Sequence, residues 1–223
     1  MNLFDSILSL VAPDTCAACD LPLEEQEKGF CGGCKILLEP APSMRRPPAP
    51  SASVYLHRGP LADAMRRFKY QGRSDLAPVL GGLCADAAHV YAGHVDVVIP
   101  LPLHPERRRS RGYNQAALLA WPVARALQIP LRTGLMSRMR VTRPQVGLSA
   151  KERAENVRKA FCASWSLSGQ RVLLVDDVST TGATLGSARK ALYDAGVDDV
   201  FTLTLAYAPE EAAEAMEGVR LAS

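Results

Sequence analysis

The sequence predicts an α/β fold, a parallel sheet flanked by helices, with a small zinc-ribbon-like module at the N-terminus. Two short apolar runs, VDVVI at residues 95 to 99 and RVLLVDD at 171 to 177, have the length and composition of buried strands. Segments with helical periodicity alternate with the strands, and this alternation is typical of right-handed βαβ units. Two Cys-x-x-Cys pairs precede this alternating region.

Length and composition describe an ordinary globular protein. The 223 residues are 48% hydrophobic and 22% charged, with a net charge of +3, which excludes a disordered or fibrous chain. This length fits one main α/β domain with a small appendage. We expect a lead helix and a cysteine module at residues 1–39, a linker at 40–53 and the main domain at 54–223.

The first fourteen residues, MNLFDSILSLVAPD, place apolar side chains at helical spacing. No Lys or Arg precedes this run, which argues against a secretory signal. The run is also shorter than the roughly 20 apolar residues that a membrane span needs, and no other segment reaches that length. We therefore expect a short amphipathic lead helix, no membrane span and a cytoplasmic location.

The four N-terminal cysteines have the spacing of a zinc ribbon. The pairs are separated by eleven residues and consist of Cys16, Cys19, Cys31 and Cys34. Two residues between thiolates allow each pair to bind one metal from a tight turn, and four thiolates leave no open coordination position, so the zinc would be structural. Two disulfides or buried reduced thiols are the alternatives. The reducing compartment expected for this chain disfavours disulfides, and such cysteine pairs occur more often as metal sites than by chance. Cys84 and Cys162 have apolar neighbours and are expected to be core residues.

A proline-rich segment follows the cysteines. Residues 40 to 53 contain five prolines and no apolar periodicity, as in an extended linker. Beyond it, apolar periodicity predicts helices at 60–70 and 75–92, a strand at 95–99, a helix from Asn114 to Leu127, a strand at 171–177, a helix at 182–195, a strand at 199–207 and a last helix from Pro209. Pro122 is expected to kink or interrupt its helix.

The stretch LLVDDVSTTGATL, residues 173 to 185, carries the strongest functional signal. In parallel sheets, ligands bind beyond the carboxyl ends of the strands, where Asp176 and Asp177 are expected. The following loop and helix start offer amides and hydroxyls that suit a phosphate, from Ser179, Thr180, Thr181, Gly182 and Thr184. Aspartates accept hydrogen bonds from sugar hydroxyls, so together these groups suit ribose 5-phosphate. The alternative is a helix start with Asp and Thr as caps, which needs only one such residue.

The segment VLLVDDVSTTGAT resembles the phosphoribosyl pyrophosphate (PRPP) binding motif of type I phosphoribosyltransferases. The segments FKYQGRSDLA, VIPLPLHPERRRSRGYNQAALLA and TRPQVGLSAKERAENVRKAF precede it, and in this order the four resemble the ComF family of competence-associated proteins over essentially the whole chain. The resemblance implies a type I phosphoribosyltransferase fold behind a zinc module. It also implies that Asp176 and Asp177 hold the ribose hydroxyls as catalytic residues, with Mg²⁺ bridging ribose and pyrophosphate.

A second rim loop follows Pro100 and matches the place where such folds receive pyrophosphate. The expected pyrophosphate residues are Arg107, Arg109, Arg111 and Gly112. A solvated basic loop or a nucleic-acid surface is the alternative. His104, beside these arginines, is interpreted as a polar loop residue.

The segment from Arg138 to Arg158 is polar and contains Pro144, Gly147 and several basic residues. It is interpreted either as a flexible hood that closes over the site or as an ordinary mobile loop. The sequence does not decide between these two interpretations.

Two functions remain open at this stage. One is a Mg²⁺-dependent phosphoribosyltransferase with an unassigned acceptor. The other is a non-catalytic accessory protein of DNA uptake that binds PRPP or a nucleotide, together with single-stranded DNA and uptake proteins. In that case the zinc module, Arg45, Arg46 and the arginine loop would contact phosphates, although an aromatic content of 6% argues against a base-stacking platform. A degenerate fold that keeps the pocket for stability alone is disfavoured by the intact motif. The oligomeric state is left open.

Overall fold

The structure, a computed structural model, describes residues 15–42, 49–138 and 160–209. The lead helix, the last helix and nearly all of the expected hood lie outside these ranges. None of the helices in the described ranges is long and apolar enough to cross a membrane.

A four-stranded parallel sheet forms the centre of the fold. Its strands are β1 (Ser51–Leu56), β2 (Val97–Pro100), β5 (Arg171–Ser179) and β6 (Asp199–Tyr207), in the order β1-β6-β5-β2. The short strands β3 (Met136–Arg138) and β4 (Phe161–Ala163) form a separate antiparallel pair. The predicted parallel sheet is therefore confirmed.

Helices cover both faces of this sheet. The helices are α1 (Gly32–Lys35), α2 (Gly59–Tyr70), α3 (Ala77–Ala88), α4 (Pro105–Arg111), α5 (Gln115–Leu127) and α6 (Ala183–Asp194). Helices α2, α3 and α5 pack on one face together with the four-cysteine module, and α6 packs on the other with β3 and β4. Strand β5 is buried between them, since Leu173 and Val175 contact the first layer and Val172 and Leu174 the second. Its uninterrupted apolar run follows from this double burial.

Strand β1 was not predicted, because its residues follow directly on the proline-rich segment. Ser51–Leu56 pairs in parallel with β6, and the hydroxyls of Ser53 and Thr204 lie 2.7 Å apart across the pair. The boundary expected at residue 53 falls inside this strand. We therefore propose that the main domain begins at about Ser51, and the division of the chain into domains stays a proposal.

The helices around residues 105 to 127 correct the prediction of a basic loop and exclude one of the two effects expected of Pro122. The arginine-rich segment is the short helix α4 instead of a loop, because Pro105 stands in its first turn and the side chain of His104 accepts a hydrogen bond from the Glu106 N–H. Helix α5 continues across Pro122, so this proline does not interrupt it. Pro122 packs tightly against Gly81 of α3, where a Cβ would lie 2.7 Å from the proline ring. The missing side chain at Gly81 is therefore what allows α3 to approach α5 at this proline.

The strands β3 and β4, at the two ends of the expected hood, were also missed. Each has only three residues, which is too short for a clear periodicity. Cys162 is the middle residue of β4 and is exposed, so its assignment to the core was wrong, whereas Cys84 is fully buried as expected.

Candidate functional site

Asp176 and Asp177 lie near the carboxyl end of β5, at the edge of the sheet where ligands bind in this class of fold. The end of β2 lies alongside, because the Leu101 N–H donates a 2.8 Å hydrogen bond to the Val175 carbonyl. Asp176 is partly open to solvent, whereas Asp177 is only 8% exposed. The sequence thus brings two adjacent carboxyl groups to the rim in different environments.

Asp177 forms a buried ion pair that was not predicted. The Nζ atom of Lys69 lies 3.0 Å from Asp177 Oδ1, and the two side chains are 7% and 11% exposed. Lys69 belongs to the last turn of α2, four residues after Met65 and eight after Leu61, so it lies on the apolar face of that helix. A lysine on an apolar helical face was the signal in the sequence that marks this position.

Asp176 is in an environment that disfavours its charged form. Burial raises its pKa, and the neighbouring Asp177 carboxylate raises it further. The Asp177 N–H, which donates to Asp176 Oδ1 at 2.8 Å, opposes this shift, as do the positive charges of Lys69 and Arg138. A carboxyl group with a raised pKa at the rim of a sheet is typical of a functional site.

The residues after β5 form the turn into α6. Strand β5 extends through Ser179, two residues beyond the predicted end, so Val178 and Ser179 belong to the strand. Thr180 is half-buried and Thr181 is exposed, and Gly182 is the N-cap of α6 with a φ of 76°. This left-handed conformation favours glycine. Because glycine has no side chain, it cannot cap the first amides of α6.

One hydroxyl of this turn caps the start of α6. The Oγ1 atom of Thr181 accepts a hydrogen bond from the Ala183 N–H at 3.3 Å, as the capping alternative expects. Thr184 is exposed in the first turn of α6, and Thr180 precedes the helix. The start of this twelve-residue helix therefore presents amides and hydroxyls to solvent, an arrangement that suits a phosphate.

Helix α4 presents basic side chains near the same edge. Arg107 and Arg109 are exposed, and the guanidinium of Arg111 lies 5.1 Å from the ring centre of Tyr70 at the end of α2. Gly112 ends the helix with a φ of 81°. Nothing within 4 Å would contact a Cβ on Gly112, so the left-handed backbone is what favours glycine here.

Arg138, the first residue of the expected hood, lies within electrostatic reach of this group. Burial lowers its pKa, and the charge of Arg107 lowers it further, whereas Asp176 opposes the shift. The Arg138 guanidinium also lies 5.3 Å from the ring centre of Phe161. The other basic hood residues, Arg140, Arg143, Lys151 and Arg153, fall outside the described residues, as do Arg45 and Arg46.

The connection between α4 and α5 is attached to the end of α2 and to β2. The Tyr113 hydroxyl donates a hydrogen bond to the Phe68 carbonyl, and the two rings lie 5.6 Å apart. Asn114 caps α5, since its Oδ1 atom accepts from the Ala116 N–H at 3.2 Å, and its Nδ2 atom donates to the Leu101 carbonyl at 3.1 Å. These contacts hold α4 close to Asp176 and Asp177, the acidic pair.

His57 is a second residue near the acidic pair that the sequence did not reveal. It follows β1, and its N–H donates a 2.7 Å hydrogen bond to the Tyr207 carbonyl. Burial lowers the pKa of its side chain, and the Lys69 charge lowers it further, whereas Asp177 opposes the shift. These effects favour the neutral imidazole beside the Lys69–Asp177 pair.

The four cysteines of the N-terminal module converge as the spacing predicted. Their Sγ atoms all lie within 4.8 Å of one another, and those of Cys19 and Cys31 are 3.8 Å apart. Tetrahedral zinc with Zn–S bonds of about 2.3 Å places sulfurs about 3.8 Å apart, so the cluster fits zinc. Burial opposes the thiolate of Cys16, but hydrogen bonds from backbone amides outweigh it and lower its pKa to about 6. All six cysteines are free thiols, so the disulfide alternative is not supported.

The cysteine module is anchored to α2. Arg67 donates two hydrogen bonds to the Asp20 carboxylate, and Arg73 donates a third at 3.5 Å. Cys16 and Phe30 belong to the same apolar core as α2 and α3. The last turn of α2 therefore contacts the cysteine module through Arg67 and the acidic pair through Lys69.

A cleft of about 300 Å³ lies between β1, β6 and α6. Ser179 contributes to its lining, together with the hydroxyl-bearing residues Ser53, Thr202 and Thr204, but neither Asp176 nor Asp177 does. The cleft therefore adjoins the turn before α6 and is separate from the acidic pair.

Comparison with known proteins agrees with the sequence resemblance. The phosphoribosyl transferase domain family matches residues 114–220. Competence protein F of Haemophilus influenzae is 32% identical over 86% of this chain and 96% of its own length. DNA utilization protein YhgH of Escherichia coli K12 is 30% identical over 79% of this chain and 77% of its own length.

The solved structures that match include glutamine PRPP amidotransferase of Bacillus subtilis in complex with ADP and GMP. The match covers 62% of this chain and 30% of the amidotransferase chain, with a TM-score of 0.45 and 23% identity. The matches to competence protein F and to the phosphoribosyl transferase domain show that this chain belongs to the ComF family and has a type I phosphoribosyltransferase fold.

Proposed function

We propose that this protein binds PRPP at the carboxyl edge of its sheet and transfers the phosphoribosyl group to an acceptor in a Mg²⁺-dependent reaction. One observation carries the proposal. Asp176 and Asp177 end the buried part of β5, and the start of α6 follows within six residues at the same edge. Sugar hydroxyls and a 5-phosphate on one ligand would need such acceptors and donors side by side.

Each part of the site has a distinct role in this proposal. The carboxylates of Asp176 and Asp177 accept hydrogen bonds from the ribose hydroxyls. The first amides of α6 and the hydroxyls of Ser179, Thr180, Thr181 and Thr184 donate to the 5-phosphate. Arg107, Arg109 and Arg111 of α4 bind the pyrophosphate, and Gly112 ends the helix beside them.

The transfer needs stabilisation of charge more than a protein nucleophile. The C1–O bond to pyrophosphate breaks and its electron pair leaves with the pyrophosphate. A lone pair of the acceptor forms the new bond to C1, and a proton on the attacking atom is released to solvent. Arginine side chains stabilise the departing charge. Carboxylate oxygens are ligands that Mg²⁺ prefers, so Asp176 and Asp177 fit this ion, which when bound neutralises further pyrophosphate charge.

The test is binding and turnover of PRPP. We expect calorimetry to detect PRPP binding in the presence of Mg²⁺, and a panel of nucleobases to identify an acceptor that releases pyrophosphate. Asp176→Asn and Asp177→Asn should each reduce turnover at least tenfold, because each replaces a carboxyl oxygen that can accept from a sugar hydroxyl with an amide NH₂ group, which only donates. Asp194→Asn is the matched control, since Asp194 is exposed on α6 and pairs with Lys190. Turnover that survives both site substitutions would contradict the proposal.

A second function follows from the relatives' names, which refer to competence and DNA utilization. The exposed face of α4 carries Arg107, Arg108 and Arg109, which suits the phosphates of single-stranded DNA. In this proposal the protein acts in the cytoplasm with DNA-uptake proteins. Titration of a labelled oligonucleotide at increasing salt tests it, and we expect affinity to fall steeply with salt. Absence of binding at low salt would exclude this function.

A further inference from the structure

The ion pair between Lys69 and Asp177 places a cation inside the acidic site. Both side chains are almost completely buried, and the pair distance of 3.0 Å is that of a direct hydrogen bond. Lys69 reaches this position from the apolar face of α2, next to Phe68 and Met65 of the core. A lysine is rarely buried in this way unless it is paired.

Two cations therefore lie close to the two acids, which leaves the acids with no surplus negative charge. Lys69 and Arg138 both act on Asp176 through their positive charges, and Lys69 contacts Asp177 directly. Two carboxylates without these cations would attract a divalent metal strongly. With them, the site has no surplus negative charge of its own, and the arginines of α4 add positive charge nearby.

This balance has a consequence for how metal and ligand reach the site. A free divalent cation is repelled by Lys69 at short range, whereas the same cation bound to a phosphorylated ligand arrives with surplus negative charge. The site is thus arranged to accept a metal together with an anion in preference to the metal alone.

We propose that Lys69 is a positioning residue that acts as the resident counter-cation of the acidic pair, holding Asp177 in place and delaying metal binding until a sugar phosphate brings the metal. The inference rests on the proposed function and deepens it. Lys69 does not need to touch the reacting atoms, because it acts through Asp177.

Manganese alone is the direct probe of this role, since it is a hard cation that prefers oxygen ligands and avoids the thiolates of the cysteine cluster. Binding of Mn²⁺ to the full, zinc-loaded chain is measured by electron paramagnetic resonance, with and without PRPP. Two variants remove the Lys69 charge: Lys69→Gln keeps a donor for Asp177, and Lys69→Met keeps the chain length. Lys69→Arg keeps the charge, and Lys190→Gln on α6 is the surface control.

We expect wild-type protein to bind Mn²⁺ alone weakly and to bind it at least tenfold more tightly with PRPP. Lys69→Gln and Lys69→Met should bind Mn²⁺ alone about tenfold more tightly than wild type, whereas Lys69→Arg and Lys190→Gln should match wild type. A purely structural role for Lys69 would leave Mn²⁺ affinity unchanged or lower it. Thermal melts confirm that each variant is folded, and either uncharged variant is sufficient for the test.

The outcomes separate this inference from the proposed function. If folded Lys69→Gln or Lys69→Met shows no gain in Mn²⁺ affinity, the counter-cation role is refuted, even where wild type binds PRPP. If these variants gain Mn²⁺ affinity while no form of the protein binds PRPP, the role of Lys69 is supported and the proposed function fails.

Discussion

Replacement of Asp176 by Asn should stabilise the protein, and more so at higher pH. The pKa of Asp176 rises from 3.8 to about 8 because of burial and the adjacent Asp177 carboxylate. The folded state therefore binds this proton more tightly than the unfolded chain does. As the pH rises through this range, ionisation of Asp176 costs the folded state free energy, so wild-type stability falls. Asn is uncharged at every pH and does not incur this cost.

The size of the effect follows from the pKa difference. Each pH unit between the two pKa values corresponds to about 1.36 kcal/mol, which sets a limit of about 4 kcal/mol for a change from about pH 5 to about pH 8. Asp176 is still partly open to solvent, and water stabilises its charged form. We therefore expect roughly half of that limit, about 2 kcal/mol, or a relative Tm shift of about 4–8 °C in a chain of this size.

Urea unfolding followed by circular dichroism, at several pH values and without added Mg²⁺, measures this difference. The pKa of His57 is lowered by burial, so this residue makes both proteins more stable as the pH rises. Comparing the variant with wild type at each pH cancels this contribution. Asp96→Asn is the control, since hydrogen bonds from Arg171 lower the pKa of Asp96. Its stabilising effect is fully present above pH 4 and is lost only below it, so this variant should lose a constant amount between pH 5 and 8.

A difference between Asp176→Asn and wild type that stays flat from pH 5 to pH 8 would refute the reasoning. It would mean that the Asp176 carboxyl group ionises at its ordinary pKa. In that case the burial of its side chain and the Asp177 charge do not act on it as the structure indicates.

Three further predictions concern the cysteine module and α5. Gly29→Ala should destabilise the fold by about 2–4 kcal/mol in thermal melts, since its φ is 74° and a Cβ would lie 2.2 Å from a Val79 methyl group. Asn114→Ala should cost about 1 kcal/mol in urea unfolding because α5 loses its cap. Cys34→Ser should lower both the zinc content by mass spectrometry and the Tm, whereas Cys162→Ser, outside the cluster, should change neither.

The sequence predicted elements well where a local pattern and the final packing agree. Strand β5 is an example, because its apolar run reflects burial on both faces, and the helix capped by Asn114 begins at Gln115 as expected. Strand β1 has no such pattern. Ser53 is buried in this strand because Thr204 of β6 supplies a hydrogen-bonding partner, a contact between residues 151 positions apart. Pairing at this distance cannot be read from a local window.

The same distinction explains the site. Asp176, Asp177 and the turn before α6 could be interpreted together as a candidate site because they are continuous in sequence. Lys69 and His57 were missed because they reach the acidic pair from α2 and from the end of β1, and only the fold brings these segments together. Lysine on the apolar face of α2 was a visible anomaly, but its partner lies 108 positions away.

Two side chains of the last turn of α2 contact the cysteine module and the acidic pair. Arg67 binds Asp20 beside the cysteine cluster, and Lys69, two residues later, binds Asp177. Side chains two residues apart on a helix point in different directions, so one turn can contact both partners at once. The cysteine module therefore contacts the same turn of α2 that supplies the cation of the acidic pair, in addition to the core contacts of Leu61, Met65 and Phe68.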